Sequence, residues 1–144
     1  MNSFDMNNLT LFQDPSTYQF GFKDEEGNVV IDAVYDSCME FSEGLAACSV
    51  NGKWGFIDER GKRVIAFDYF RVGSFKHGVA AINRNNSWGY INKEGKYVIK
   101  PVFSLANDFI KDRDGNINAI VAKPDGCEMR EYVIDADGKV VDKL

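Results

Sequence analysis

Short apolar segments alternate with polar turns along the chain, as in KWGFID, RVIAFDY and YVIKPVF. Many of these segments are rich in β-branched and aromatic residues, and Gly, Asn or Asp follows them. Such segments are typical of β-strands that end in tight turns. No long run of residues repeats its apolar positions at the helical period. The pattern therefore predicts an all-β protein.

A constant sequence period organises these segments. Two series of glycines recur every 34 residues, namely Gly21, Gly55 and Gly89, and Gly27, Gly61 and Gly95. The next interval, from Gly95 to Gly138, is 43 residues, so the third cycle carries nine extra residues. They lie in the segments DFIKDRDGNINA and KPDGCEMREY. A repeat of this length is one supersecondary unit, which needs its neighbours to bury its apolar face.

Each cycle contains three predicted strands, which we name A, B and C in chain order. In the second cycle they are LAACSV, KWGFID and KRVIAFDYFRV. Four such cycles predict about twelve short antiparallel strands in an array that is solenoid-like or partly closed. The predicted organisation is an N-terminal tail, residues 1–8, and a single domain, residues 9–144, with units at about 9–43, 44–77, 78–115 and 116–144.

Turn residues mark the strand ends more sharply than strand propensity does. Between strands B and C, Asp or Asn stands three residues before Gly in every cycle: Asp24–Gly27, Asp58–Gly61, Asn92–Gly95 and Asp135–Gly138. This spacing predicts type I turns in which the Asx side chain bonds the backbone. Between strands A and B, NG at 51–52, NN at 85–86 and DG at 125–126 predict tight hairpins.

Strand B carries an aromatic position next to a glycine. The aligned residues are Phe20, Trp54, Trp88 and Tyr132, and Gly21, Gly55 and Gly89 follow the first three. A position that accepts Phe, which has no polar group, is typical of packing rather than of ligand binding. The glycine lets another backbone approach the strand closely. We therefore assign these positions a structural role and expect Trp54→Ala or Trp88→Ala to cost about 3–5 kcal/mol.

The segments GKWGFIDERGKRVI, FKHGVAAI and SWGYINKEGKYVIKPVF resemble the bacterial WG-repeat family, also called KWG repeats, whose units carry a W-G-[FY]-I-[DN]-x-x-G core. The resemblance covers roughly residues 9–144 and is most specific in the second and third cycles. Phe20 replaces the Trp in the first cycle, and Tyr132–Val133 replaces the Trp–Gly pair in the last. The resemblance implies an all-β interaction module without established catalytic residues.

Composition and charge narrow the function classes. A formal charge of −5 and a pI near 4.9 argue against nucleic-acid binding, because that function needs clustered Lys and Arg. The start of the chain, MNSFDMNNLTLFQD, has neither a signal-peptide pattern nor an apolar run of membrane-spanning length, so we expect a cytoplasmic protein. The three cysteines, Cys38, Cys48 and Cys127, favour reduced thiols, and Cys48 aligns with Ile82 as a core residue.

Candidate catalytic and metal chemistry is sparse. The single imidazole, His77, lies in the predicted FKHG turn, which favours an exposed turn residue over a catalytic base. Three scattered cysteines do not have the spacing of a zinc site. The segment DRDGN fits a calcium loop at Asp112 and Asp114, but Ile110 and Val121 then occupy positions that require carboxylates. We expect no enzyme activity, no cofactor and no metal.

The most consistent function is binding of another protein, either as a scaffold or as an immunity-type protein that neutralises a toxin. Repeat proteins expose extended surfaces and place partner-specific contacts in irregular inserts. The candidate partner-binding residues lie in the third-cycle insert and in the turns after strand C: Asp112, Arg113, Asp114, Asn116, His77 and Glu43. The alternative is a carbohydrate or cell-wall binding module that uses the aromatic positions. The sequence leaves open whether the protein is a monomer or a homodimer.

Overall fold

The computed structural model describes residues 8–144, and all regular structure in this range is β. Within it, sixteen strands form four open antiparallel sheets, one for each sequence cycle. The predicted all-β class and its repeated antiparallel units are therefore confirmed. The predicted tail, residues 1–8, lies outside the described residues except for the exposed Asn8.

Neighbouring strands in each sheet follow the order of the chain, apart from one extra pairing in the fourth sheet. The first sheet contains β1 (Thr10–Gln13), β2 (Phe20–Lys23) and β3 (Val29–Tyr35). The second contains β4 (Ser37–Cys38), β5 (Ala46–Val50), β6 (Lys53–Ile57) and β7 (Arg63–Tyr69). The third contains β8 (Arg71–Val72), β9 (Val79–Arg84), β10 (Ser87–Asn92) and β11 (Tyr97–Phe103). The fourth contains β12 (Leu105–Ala106), β13 (Ile110–Lys111), β14 (Ile117–Asp125), β15 (Glu128–Asp135) and β16 (Val140–Lys143).

A short strand in front of strand A distinguishes these sheets from the predicted three-stranded units. β4, β8 and β12 each contain two residues and pair antiparallel with strand A of their own sheet, which is β5, β9 or β14. Two residues are too few to show an alternating apolar pattern of their own. The predicted strand C of the second cycle, KRVIAFDYFRV, included Arg71–Val72 as its end, whereas these residues form β8 of the next sheet. The prediction of twelve strands was therefore too low.

The extra residues of the third cycle are divided between two places. Part of them forms β13, which turns back and pairs with the start of β14 at Ile110↔Asn118 and Lys111↔Ile117. The rest lengthen the β14–β15 hairpin, which stays paired out to Asp125↔Glu128. The loop residues of that hairpin are therefore Gly126 and Cys127, one position later than the predicted Asp125–Gly126 turn.

The turns between strands B and C have the predicted Asx geometry. At Asp58, the carboxylate Oδ1 accepts hydrogen bonds from the backbone N–H groups of Arg60 and Lys62, both at 2.9 Å. The Gly61 N–H donates to the Asp58 carbonyl at 3.0 Å. The same three bonds form at Asp24, Asn92 and Asp135, and also at Asp112 in the β13–β14 turn. The insert therefore reuses the turn of the repeats.

The turn carboxylate of Asp24 is expected to make stability depend on pH. The backbone N–H of Asn28, and less strongly that of Glu26, holds the pKa of Asp24 below its ordinary value of 3.8. Since the folded pKa is the lower one, the stabilisation is present above the ordinary pKa and is lost as pH falls through the folded pKa. We expect the stability difference between wild type and Asp24→Asn, measured by urea unfolding, to shrink between about pH 5 and pH 2.

Asp24→Asn is a matched variant for this prediction, because Asn92 already forms the same turn without a charge. Its amide oxygen keeps the two backbone hydrogen bonds, so the fold is retained. An unchanged stability difference across this pH range would show that the Asp24 carboxylate is not linked to folding.

The chain divides into two compact units, Met1–Asp68 and Tyr69–Leu144, and each has its own apolar core. In the first unit the core joins residues of the first and second sheets: Phe22, Ile31, Tyr35, Ala46, Cys48 and Ile57. In the second unit it joins residues of the third and fourth sheets: Ala81, Tyr90, Phe103, Phe109, Ala119, Val121 and Ile134. Within each unit, neighbouring sheets therefore share one buried layer of side chains, as stacked repeats require.

Candidate functional site

The glycine of strand B lies against a bulge in strand C. In the third sheet Trp88 pairs with Phe103 and Tyr90 with Ile99, so two steps along β10 match four steps along β11. The extra residues bring the β11 backbone over Gly89. A Cβ atom at Gly89 would lie 2.5 Å from the Ile99 carbonyl oxygen and 2.7 Å from the Pro101 nitrogen. Only glycine fits beneath such a bulge without displacing the backbone.

The close approach of strand C to this glycine recurs in the first two sheets. Phe20 pairs with Tyr35 and Phe22 with Ile31, which gives the same two-residue excess in β3. A Cβ atom at Gly21 or Gly55 would collide with the backbone of the neighbouring strand C. The aromatic–glycine step thus has the same structural role in the first three sheets, where the backbone of strand C passes close to the glycine.

The indoles themselves are only partly buried. Trp54 and Trp88 have intermediate exposure, and Trp88 packs against the edge of the second unit's core. In the first three sheets the fully buried ring of strand B lies two residues later: Phe22, Phe56 and Tyr90 are all 0% exposed. The structure therefore places the main packing role on this second aromatic position and leaves the indoles at the margin.

The pairing register corrects the alignment of Tyr132. In the fourth sheet, Val121 pairs with Tyr132, whereas the equivalent Ile82 pairs with Gly89. Tyr132 therefore occupies the position of the glycine, and Glu131 occupies that of the tryptophan. The interval of 43 residues from Gly95 to Gly138 agrees with this register, since the same interval leads from Gly89 to Tyr132.

The two-residue bulge of strand C is absent from the fourth sheet, where Tyr132 occupies the position of the glycine. Tyr132 pairs with Lys143 and Val133 with Asp142, so one step along β15 matches one step along β16 at the position where strand C of the first and third sheets gains two residues. A side chain at the glycine position thus coincides with loss of the two-residue bulge. The fourth sheet shows what strand C does when the glycine is absent.

The candidate residues Glu43 and His77 occupy equivalent turns in different units. Each is exposed and has a left-handed backbone, with φ of 55° and 53°, and each precedes a glycine with positive φ. The bridges Ser42↔Leu45 and Lys76↔Val79 close these turns. Left-handed backbone costs about 1–2 kcal/mol at residues other than glycine, so both turns are held by their surroundings.

The remaining candidates, Asp112, Arg113, Asp114 and Asn116, all lie in the exposed β13–β14 turn. The Asp112 carboxylate, which the sequence suggested as a calcium ligand, accepts the backbone N–H groups of Asp114 and Asn116, both at 2.9 Å. These two hydrogen bonds in the turn are sufficient reason for an Asp at position 112. Among residues 8–144, no cluster of three or more His, Cys, Asp or Glu side chains is arranged to hold a metal ion.

Three contacts fix the insert to the third sheet. The Tyr90 hydroxyl donates to the Asn107 carbonyl at 2.7 Å, and the Tyr90 and Phe109 rings meet edge to face with centroids 4.8 Å apart. Lys76 Nζ lies 3.4 Å from Asp108 Oδ2. Burial, followed by the nearby Asp108 carboxylate, raises the pKa of Tyr90, which keeps the hydroxyl protonated as a donor. The insert and the turn that holds His77 are therefore joined, whereas Glu43 belongs to the other unit.

A cavity of about 600 Å³ lies beside this insert. The residues that line it are Asn107, Asp108, Ile110, Asp112, Asn118, Ala119, Ile120 and Val133. Its apolar wall includes Ile110, whose side chain is 63% exposed although it is large and aliphatic. Both charged residues of the lining are carboxylates. The site can accept an apolar group that carries positive charge beside it.

Sequence reasoning found the turn of this insert but missed the cavity beside it. Ile110, Ile120 and Val133 look like ordinary strand residues, and nothing in their spacing shows which of them is covered. The one available signal was the apolar FI pair at 109–110 inside a polar insert. Phe109 proved to be a core residue with 2% exposure, and Ile110 proved to be exposed.

Comparison with known proteins bears on the repeat rather than on this cavity. Three consecutive segments, residues 20–54, 54–87 and 88–118, match the family described as WG containing repeat. No curated protein matches the chain. In the described part of the chain no helix has the length and apolar character needed to span a membrane. The matched segments cover well over half of the chain and begin at or next to the aromatic–glycine step described above, so the chain belongs to the family of WG-containing repeat proteins.

Proposed function

We propose that the protein is a non-catalytic protein-binding module and that the insert surface, residues 107–118, contacts its partner. The observation that carries this proposal is the combination of an apolar cavity with the exposed Ile110 at its wall. Large apolar side chains in clefts are the usual anchors of protein interfaces. The insert is also where this chain departs from its own repeat, which is typical of a partner-specific surface.

The charge around the cavity indicates the chemistry of the partner. Asp108 and Asp112 line it, and Asp114 follows in the exposed turn, so three carboxylates stand against two cations, Lys111 and Arg113, in residues 107–118. The chain as a whole carries a formal charge of −5. A partner segment with an apolar side chain flanked by Lys or Arg would fill the cavity and complement this charge. Both a scaffold and an immunity-type protein that neutralises a basic toxin would use such a surface in the cytoplasm.

The alternative function, carbohydrate or cell-wall binding, depends on exposed aromatic faces. Trp54 and Trp88 are partly covered, and the equivalent position in the fourth sheet is Glu131 rather than an aromatic residue. These observations support the protein-binding proposal over the carbohydrate alternative. Whether the protein acts as a monomer or as a homodimer is independent of this choice.

A single charge at the insert surface tests the proposal. We expect Ile110→Asp to weaken partner binding by at least about tenfold, because it places a carboxylate where an apolar contact is buried on binding. The tagged wild-type chain and the variant are compared by capture from the lysate of the source cells, followed by titration of the captured protein.

Val34→Asp is the matched control, since Val34 is also an exposed strand residue, 51% against 63% for Ile110, but lies in the first unit. Binding that survives Val34→Asp and is lost with Ile110→Asp supports the proposal. Absence of a stoichiometric protein partner, or equal loss with both variants, contradicts it.

A further inference from the structure

Two thiols of the first unit lie in direct contact. Cys38 of β4 and Cys48 of β5 stand directly opposite each other across the antiparallel pair. Their Sγ atoms are 2.7 Å apart. Both cysteines are free thiols in the structure, and neither the repeat motif nor the insert surface involves them.

The backbone holds this pair at a separation that a disulfide accepts. Beyond the pair, the Met39 N–H donates to the Ala47 carbonyl at 2.8 Å, so Cys38 and Cys48 form a non-hydrogen-bonded pair. The Cα atoms of such pairs are about 4.5 Å apart, and their side chains approach most closely. Disulfides span Cα separations of about 4.4–6.8 Å. A bond between the two sulfurs therefore needs little backbone movement.

Packing alone does not require sulfur at this position. The equivalent cross-strand pairs are Val72↔Ile82 in the third sheet and Ala106↔Val121 in the fourth. Both are aliphatic and fill the same layer between the short strand and strand A. Of these three sheets, the second therefore has two thiols at the position where the other two have aliphatic side chains.

From this geometry we propose that Cys38 and Cys48 are a reversible dithiol–disulfide pair, oxidised by a low-molecular-weight disulfide such as glutathione disulfide. The product closes a covalent link between β4 and β5 at the edge of the second sheet. The pair lies in the first unit, whereas the insert surface belongs to the second unit.

The exposure of the two thiols sets the order of the reaction. Cys38 is partly exposed, whereas Cys48 is 0% exposed and lies in the core of the first unit. The hydrogen bond with Cys38, and then burial, raise the pKa of the Cys48 thiol. Cys38 is therefore the thiol that meets the oxidant, and Cys48 is the resolving thiol.

The exchange proceeds in two balanced steps. The Cys38 thiolate attacks one sulfur of glutathione disulfide, forms a Cys38–glutathione mixed disulfide and releases one glutathione thiolate. Cys48 then gives its proton to that thiolate, attacks Cys38 Sγ, and releases the second glutathione as the mixed disulfide breaks. The second glutathione leaves as a thiolate and takes up from water the proton that Cys38 had lost to it. The protein pair thus loses two electrons and two protons, and glutathione disulfide becomes two glutathione thiols.

Mass spectrometry of trapped thiols tests this proposal on the full chain with Cys127→Ser. Cys127 is exposed in the β14–β15 loop and would otherwise add its own chemistry. The folded protein is equilibrated with glutathione disulfide, quenched in acid, unfolded and treated with N-ethylmaleimide. We expect the loss of both maleimide labels, no bound glutathione, and recovery of both labels after dithiothreitol.

A control variant copies the third sheet: Cys38→Val with Cys48→Ile should fold and show no change with the oxidant. If Cys127→Ser perturbs the fold, the wild-type chain with Cys127 alkylated in the folded state serves instead. Retention of both maleimide labels at equilibrium, or glutathione that remains on Cys38, would overturn the proposal.

Discussion

Replacement of Gly89 by Val is expected to destabilise the second unit by about 4 kcal/mol or more, a cost reserved for changes that force backbone movement. A Cβ atom at this position would meet three backbone atoms of β11, at 2.5 Å, 2.7 Å and 2.8 Å. Backbone atoms of a paired strand cannot turn aside as a flexible side chain would. The two-residue bulge over Gly89 must therefore open, and the pairing of β10 with β11 is lost or shifted. Urea unfolding monitored by circular dichroism measures the cost.

Gly78→Ala separates this effect from the general cost of losing a glycine. Gly78 has a φ of +82°, and a Cβ atom there would have no neighbour within 4 Å. We expect it to cost about 1–2 kcal/mol, the penalty of left-handed backbone alone. Gly89→Ala, with the smallest possible side chain, should still cost about 3 kcal/mol through overpacking. If Gly89→Ala were as stable as Gly78→Ala, the close approach of β11 would not be needed for folding.

The second large effect is expected at Phe56 rather than at its neighbour Trp54. Phe56 is 0% exposed, so Phe56→Ala should cost about 3–5 kcal/mol, the transfer free energy of the ring plus the cavity it leaves. Trp54 is partly exposed, so truncation removes fewer contacts and leaves an open surface instead of a void. We expect about 2 kcal/mol for Trp54→Ala, which lowers the value that the sequence alone suggested.

Thermal unfolding of the two variants tests this ranking directly. Both positions lie in β6, so strand propensity and position in the sheet are closely matched. A larger loss for Trp54→Ala than for Phe56→Ala would show that the indole, and not the second ring, supports the core of the first unit. Equal melting of wild type and Phe56→Ala would contradict burial of the ring altogether.

The repeat could be predicted from the sequence because it depends on local chemistry. An Asx residue three positions before Gly closes its turn with bonds inside five residues, as Asp58 shows. The glycines at 34-residue intervals were visible for the same reason, since each is required by its own strand pair. Local bonds of this kind leave a pattern that a single sequence carries.

Other features lack such a local pattern. The two-residue strands β4, β8 and β12 exist only because strand A offers them an edge. Tyr132 was aligned with the tryptophans because it is aromatic, whereas its pairing with Val121 places it at the position of the glycine. The repeated tryptophans are conspicuous in the sequence, but the fully buried rings are those of Phe56 and Tyr90.

The candidate site was also only partly predictable from the sequence. The sequence located the acidic turn around Asp112 from composition and from the broken period. It could not show that Phe109 enters the core while Ile110 faces solvent beside a cavity, because that depends on the edge contact of Phe109 with Tyr90. It also gave no sign that Cys38 and Cys48 meet, since ten positions separate them and only the β4–β5 register brings their sulfurs together.

By itself, then, the amino-acid sequence determined the β class, the period, the turns and the glycines, because each of these is set by backbone conformation and hydrogen bonds within a few residues. The tertiary structure alone decided which ring is buried, how far strand C bulges, where the insert docks and which thiols touch. Those outcomes depend on contacts between segments distant in the chain, whose packing no local pattern encodes.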